Sequence, residues 1–184
     1  MRTFIAVDFD EAIRERLAAV QQDLSAAPCK IKWVKPAAMH ATLKFLGEID
    51  PEQVEPVAEA MAAAADGVAP FEVQVRGLGA FPPRGAPRVV WAGMDDPAGG
   101  LARLNEALEQ RLSALGFKRE RRPFHAHLTI GRVKGRRGGR ELRALLEAEP
   151  EAAFGTQRVD GIVLYHSELS PQGATYRALR RHAL

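Results

Sequence analysis

The sequence predicts an α+β domain with a largely antiparallel sheet, and three observations lead there. Short runs with strand-like patterning are interleaved with helical stretches along the whole chain. Several of these runs are joined by connections too short for a helical crossover, such as 79–88 and 169–174. A parallel pair needs roughly a dozen residues or more between its strands, so these neighbours must be antiparallel. Helices with one apolar stripe each then have one face of that sheet to cover.

The elements follow in order. Residues 3–9, TFIAVDF, read as a buried strand. A helix runs from about Glu11 to Ser25, with Asp10 at its N-cap and Ile13, Leu17, Val20 and Leu24 as its inner stripe. KIKWV at 30–34 is a short extended piece, and HATLKFLGEI at 40–49 is a strand with alternation. Pro51 opens a helix to about Ala65, turning Val54, Val57 and Met61 inward. PFEVQVRGLG (70–79) and RVVWAGM (88–94) are strands on either side of the turn FPPRGAP. A helix from about Pro97 to Leu115 stops at Gly116, and FHAHLTIGRV at 124–133 is the next strand. A glycine-arginine loop, a helix near 140–148 and strands near 156–169 and 174–180 complete the chain.

Composition narrows the class. With 184 residues, 46% hydrophobic and 27% charged, the chain falls in the range of one globular domain or two small lobes. No apolar run approaches the roughly 18 residues a membrane helix needs, and acid at Asp8 and Asp10 excludes a signal-peptide reading of the start. Cys29 is the single cysteine, which excludes an internal disulfide and a Cys-rich zinc module and makes the cytoplasm the expected address. The net charge is only +3, but basic residues crowd between Lys118 and Arg143, opposed by Glu120 and Glu141 alone. Such a cluster fits a phosphate-bearing partner; it equally fits a solvated loop and helix face.

One pattern recurs. His40-Ala41-Thr42-Leu43 and His127-Leu128-Thr129-Ile130 lie 87 positions apart, close to half the chain. Five histidines and five threonines in this length would give roughly 0.13 His-x-Thr matches by chance, against the two present. An internal duplication, each half supplying one strand to one site, explains the pair. Side chains alternate along a strand, so His40 and Thr42 share a face, as do His127 and Thr129. Leu43, Phe45, Leu128 and Ile130 fall on the other, apolar face. Two imidazoles can act as acid and base near neutrality, and threonine hydroxyls with nearby arginines can hold the non-bridging oxygens of a phosphate. This set suits phosphodiester hydrolysis without a metal.

Neighbouring residues are weaker candidates for substrate contact. His125 shares the face of His127; the pair could orient substrate, sit on a rim, or begin a metal site, although it lacks a third ligand in sequence. Lys44 has the parity of His40 and Thr42 and could reach a phosphate, although a strand-end lysine more often stands in solvent. Arg132 has the wrong parity unless a bulge at Gly131 turns it into the cleft. Phe124, with Trp33, Trp91 and Tyr176, offers a ring for base stacking, though strand aromatics more often serve a core. His166 and His182 have no partner motif, and Cys29 is expected to be inert.

The opening RTFIAVDF, the blocks KWVKPAAMHATLKFLGEI, GLGAFPPRGAPRVVWAG and RPFHAHLTIGR, and the tail LYHSELSPQGATYRAL together span nearly the whole chain. On these the sequence resembles the two-histidine (2H) phosphoesterases, and within them the bacterial and archaeal RNA 2′,3′-cyclic phosphodiesterases, historically named 2′-5′ RNA ligases. The resemblance implies a bilobal LigT-like α+β fold over residues 1–184. Its two intertwined, pseudo-symmetric lobes would carry one motif each, with helices outside and a central cleft. It implies His127 as proton acceptor from water, His40 as proton donor to the departing 3′ oxygen, and a 2′-phosphate product. It implies no metal or cofactor, and as partner an RNA with a 2′,3′-cyclic phosphate end or a cyclic nucleotide. No membrane and no obligate protein partner are expected, and a monomer suffices. Ala41 stands where leucine is common and Ala126 where proline often precedes the second histidine, which puts substrate preference rather than chemistry in question. The same residues permit the reverse 2′-5′ joining reaction. A non-catalytic RNA-end or nucleotide binder is the alternative from another class, and a metal-dependent phosphatase lacks the carboxylate clusters it would need.

Overall fold

The computed structural model describes residues 1–148, 150–170 and 173–184. In chain order the elements are β1 (Arg2–Val7), α1 (Glu11–Leu24), β2 (Lys30–Trp33), β3 (Ala41–Glu48), α2 (Val54–Ala65), β4 (Phe71–Phe81) and β5 (Val89–Asp95). The rest are α3 (Gly100–Ala114), β6 (His127–Lys134), α4 (Gly139–Ala148), β7 (Ala153–Val159), β8 (Gly161–Ser170) and β9 (Gly173–Ala183). The strands form one sheet in the order β7-β4-β5-β6-β3-β1-β8-β9, with β2 also paired to β6. Every pairing is antiparallel.

The two halves of the chain meet where β3 pairs β6. That contact is made at Ala41 opposite Leu128, the residue after each motif histidine. Outward from this seam the order reads β1-β8-β9 on one side and β5-β4-β7 on the other, so each motif strand carries a matching wing. β7 and β8 stand near opposite ends of the sheet, yet Asp160 alone joins them. One intervening residue spans only about 7 Å, so the sheet must curl until its two wings approach each other.

The helices cover the apolar face. Leu43, Leu128 and Ile130 point from the motif strands into a core that takes Ile13, Leu17 and Leu24 from α1, and Val57 and Met61 from α2. Leu101, Leu104, Leu108 and Leu112 of α3 and Leu142 and Leu146 of α4 complete it. The spacing of these residues at three and four is what makes the segments helices with one buried stripe. In α1 the stripe includes Gln21 where Val20 was expected; Val20 is only half-buried, and the reason lies in the site below.

Element ends differ from the sequence reading in ways local chemistry explains. The helix expected from Pro97 begins at Gly100, because the Asp96 carboxylate accepts the N–H groups of Gly100 and Leu101 at 3.1 and 2.7 Å. Pro51–Gln53 is a 3-10 turn leading into α2. Asp10 is the N-cap of α1, but its side chain makes no capping bond; its own N–H donates to Gln157 Oε1 at 2.8 Å. Among the described residues no helix is long and apolar enough to cross a membrane.

Candidate active site

The two motif histidines are held alike. Nδ1–H of His40 donates to the Ala38 carbonyl at 2.9 Å, and Nδ1–H of His127 donates to the His125 carbonyl at 2.7 Å. Each ring thus reaches back two residues to a backbone carbonyl. β3 and β6 begin at Ala41 and His127, later than the expected starts at 40 and 124. With Nδ1 carrying the hydrogen, Nε2 is the nitrogen left to exchange protons with a substrate. Nε2 of His40 accepts from the Thr42 hydroxyl at 3.1 Å. Among the described residues Nε2 of His127 has no such partner.

Both motif strands then bulge. Ala6 pairs with Thr42 but Ile5 with Lys44, so Leu43 is an extra residue in β3. Likewise Trp91 pairs with Thr129 but Val90 with Gly131, so Ile130 is an extra residue in β6. A bulge leaves a backbone group without its ladder partner, and a buried carbonyl needs a donor. Asn105 of α3 donates to the Leu43 carbonyl at 2.8 Å. The Ile130 carbonyl accepts from the Val34 N–H at 3.0 Å, and Gln21 Nε2 of α1 donates to the Ile130 and Val34 carbonyls, each at 2.8 Å. The polar residue in the α1 stripe thus ties β6 to the chain that leaves β2.

Each bulge reverses the alternation of side chains, and this corrects two expectations. Lys44 does not share the face of His40 and Thr42. It is 5% exposed on the helix side, where Nζ donates to both carboxylate oxygens of Glu109 at 2.8 Å and to the Lys118 carbonyl at 2.7 Å. Phe45, expected on the apolar face, turns instead into the cleft and is 50% exposed. In β6 the same reversal carries Arg132 into the cleft. Gly131 permits it, since a Cβ there would stand 2.7 Å from the Trp33 ring and 2.8 Å from Ile31. Phe45 and Arg132 are mates under the offset of 87 that relates the histidines.

The resulting cleft has a volume of about 310 Å³. His40, Thr42, His127, Thr129 and Arg132 line it together, with Tyr176 of β9. Sequence reasoning missed Arg2, Phe4 and Phe45 in its wall. The Phe4 ring stacks on His40 at 4.5 Å and Tyr176 meets it edge-on at 5.0 Å. No polar motif marks Phe4, and only the pairing of β1 beside β3 brings it there. Phe124 is packed against the core and does not line the cleft. His125 is exposed outside it, its ring 5.1 Å from Trp91 and 5.5 Å from Phe81. Among the described residues no three candidate ligands converge to hold a metal there. Trp33 packs beside Gly131 and donates from Nε1 to the Ser25 hydroxyl at 3.0 Å.

Burial sets the proton affinities. Desolvation first of all, against a weaker opposing effect of the Ala38 hydrogen bond, lowers the pKa of His40 from 6.5 to about 4. The pKa of His127 is lowered too, mainly by burial, with the His125 carbonyl opposing. Both imidazoles are therefore neutral in the empty cleft at neutral pH.

Comparison with known proteins agrees with this geometry. Residues 7–91 and 93–176 each match the family model described as LigT like phosphoesterase, one match per half and one motif in each. An RNA 2′,3′-cyclic phosphodiesterase of Archaeoglobus fulgidus is 38% identical over 180 residues, covering 98% of both chains. Among solved structures, a protein of Thermus thermophilus superposes with a TM-score of 0.84 at 31% identity, covering 100% of this chain and 98% of that one. Escherichia coli LigT complexed with 3′-AMP gives 0.81 at 26% identity, covering 100% and 97%. With both halves matched and a two-histidine cleft on the seam between them, the chain belongs to the LigT-like phosphoesterase family.

Proposed function

We propose that this protein hydrolyses the terminal 2′,3′-cyclic phosphodiester of RNA, or of a cyclic nucleotide, to a 2′-phosphomonoester. The observation that carries the reading is the matched pair of imidazoles, each with Nδ1–H bound to a carbonyl two residues back and Nε2 as the working nitrogen. Nε2 of His127, without a partner among the described residues, is suited to take a proton from the attacking water. His40 returns a proton to the departing 3′ oxygen. Thr42, Thr129 and Arg132 meet the non-bridging oxygens, on which charge builds as water adds.

The acid must carry a proton that burial makes it shed. A bound phosphate anion beside His40 raises its affinity for that proton, so substrate binding and protonation of the acid are coupled. The aromatic wall of Phe4 and Tyr176 contributes by keeping His40 neutral until an anion arrives. By microscopic reversibility the same groups can join a 2′-linked end. We further propose that residues 1–184 act as one monomeric unit of two intertwined lobes, in the cytoplasm.

The test is to incubate the protein, with chelator present, with an RNA ending in a 2′,3′-cyclic phosphate and to identify the product isomer. His40→Ala and His127→Ala should each cut turnover by about a hundredfold or more while remaining folded. A 3′-phosphate product, or near-native turnover in either variant, would overturn these acid and base roles. Binding of cyclic-phosphate ends with no turnover at any pH would instead make the cleft a recognition module.

A further inference from the structure

A second feature lies beyond the cleft, on the strand pair β2–β6. In its register Lys32 stands directly opposite Arg132 and Lys30 directly opposite Lys134. Paired residues of an antiparallel ladder project from the same face with Cβ atoms about 5 Å apart, and like charges so placed oppose the pairing. Lys30, Lys32, Arg132 and Lys134 are all exposed. Among the described residues none of them has a carboxylate within 4 Å. Of the other cations between Lys118 and Arg143, three side chains are engaged locally. Arg119 pairs with Glu106, Arg122 with Glu120, and Arg143 donates to the carbonyls of Pro82 and Gly85. The four ladder cations stay uncompensated, and one of them, Arg132, lines the cleft.

We propose that β2 and the end of β6 form a track for the phosphate backbone of a single-stranded RNA whose 3′ end occupies the cleft. This rests on the cyclic-phosphodiesterase reading above. A 2′,3′-cyclic phosphate is by its chemistry the 3′ terminus, so every other phosphate of the chain lies on its 5′ side and must leave the cleft along one wall. From Arg132 the cations continue to Lys32, Lys134 and Lys30 on the same face of the sheet. Residues two apart on a strand are about 6.7 Å apart, comparable to the step between phosphates of an extended strand. A polyanion relieves the repulsion that the bare ladder carries. β2 pairs only with β6, so the track has no copy on the β3 side of the cleft. The feature therefore selects polymer over mononucleotide.

The experiment replaces the three lysines outside the cleft together, Lys30→Gln, Lys32→Gln and Lys134→Gln, in the full chain. Two readouts are taken. A fluorescent single-stranded RNA with an unreactive 3′-phosphate is titrated at several salt concentrations, and kcat/KM is measured for a cyclic mononucleotide and for an RNA with a cyclic-phosphate end. Three phosphate contacts at about 0.7 each predict that the variant's log–log salt slope is smaller by about 2, a roughly 18-fold difference in affinity loss between about 50 and 200 mM salt. kcat/KM should fall about tenfold or more for the RNA at low salt and stay unchanged for the mononucleotide. The variant should melt no lower than the wild type, since it removes like-charge pairs. Equal slopes and affinities would overturn the track, and so would an equal loss on both substrates. If the wild type turns over neither substrate, the cyclic-phosphodiesterase reading fails, while the titration still decides whether β2–β6 binds RNA.

Discussion

Acidifying the protein should weaken its fold through His40, and the size of the effect can be worked from the site. Burial holds the pKa of the folded His40 at about 4, against an ordinary 6.5. The unfolded chain takes up a proton as pH falls through 6.5, whereas the folded one does not until about 4. Across that window the unfolded state binds more protons, so stability falls as pH drops and levels off below it. At about 1.4 kcal/mol per pH unit the full gap is worth about 3 kcal/mol, and most of it, between about 2 and 3, is lost by about pH 4.5. Other groups titrate in the same range, so the comparison must be with a variant lacking only this one. His40→Asn serves, because its amide can still donate to the Ala38 carbonyl. Urea denaturation of both proteins near pH 7.5 and 4.5 gives the answer. The wild type should lose about 2–3 kcal/mol more than the variant on acidification. Parallel losses would show that the pocket of Phe4 and Tyr176 does not disfavour the imidazolium, and the coupling of substrate binding to protonation would fall with it.

Further outcomes follow from the same geometry. Thr42→Val and Thr129→Val should each raise the barrier by about 1–3 kcal/mol, read from kcat/KM, with little change in thermal stability. Glu109→Gln leaves the Lys44 ammonium buried with only the Lys118 carbonyl and one amide oxygen, and should cost about 3–5 kcal/mol in chemical denaturation. The pH dependence of kcat/KM should be a bell with apparent pKa values belonging to the histidine pair. Its optimum should lie on the acid side of 6.5, because burial lowers both groups in the free enzyme. The kcat profile should sit at higher pH, since bound phosphate raises them.

How legible the site was in the sequence depended on how far strand alternation holds. His40, Thr42, His127 and Thr129 precede the bulges, so a period of two was enough to bring them to one face. Lys44 and Phe45 follow a bulge, and the same rule turned both the wrong way. Arg132 was open to the reading only because Gly131 signalled an irregularity. No comparable glycine stands beside Leu43, where the extra residue is supported by Asn105 from another element. Phe4 and the pairing of β2 with β6 depend on strand order, which local patterning does not encode. The histidine-to-carbonyl bonds were hidden because each depends on the backbone turning back two residues before its motif, which side-chain patterning does not encode.

A cleft made from two copies of one motif is a palindrome so far as its halves agree. His40 and His127, with Thr42 and Thr129, repeat one arrangement of side chains about the seam at Ala41 and Leu128, although the partners of the two rings already differ. The bulges aim the next side chain from each strand at the same cleft, and there the copies part company. One half presents the ring of Phe45 beneath the Arg2 guanidinium, and the other presents the guanidinium of Arg132. A flat apolar surface on one side and a fixed charge on the other give the cleft a head and a tail. The repeated motif supplies matching side chains, and the divergence of Phe45 and Arg132 adds to the polarity that the unlike surroundings of His40 and His127 begin.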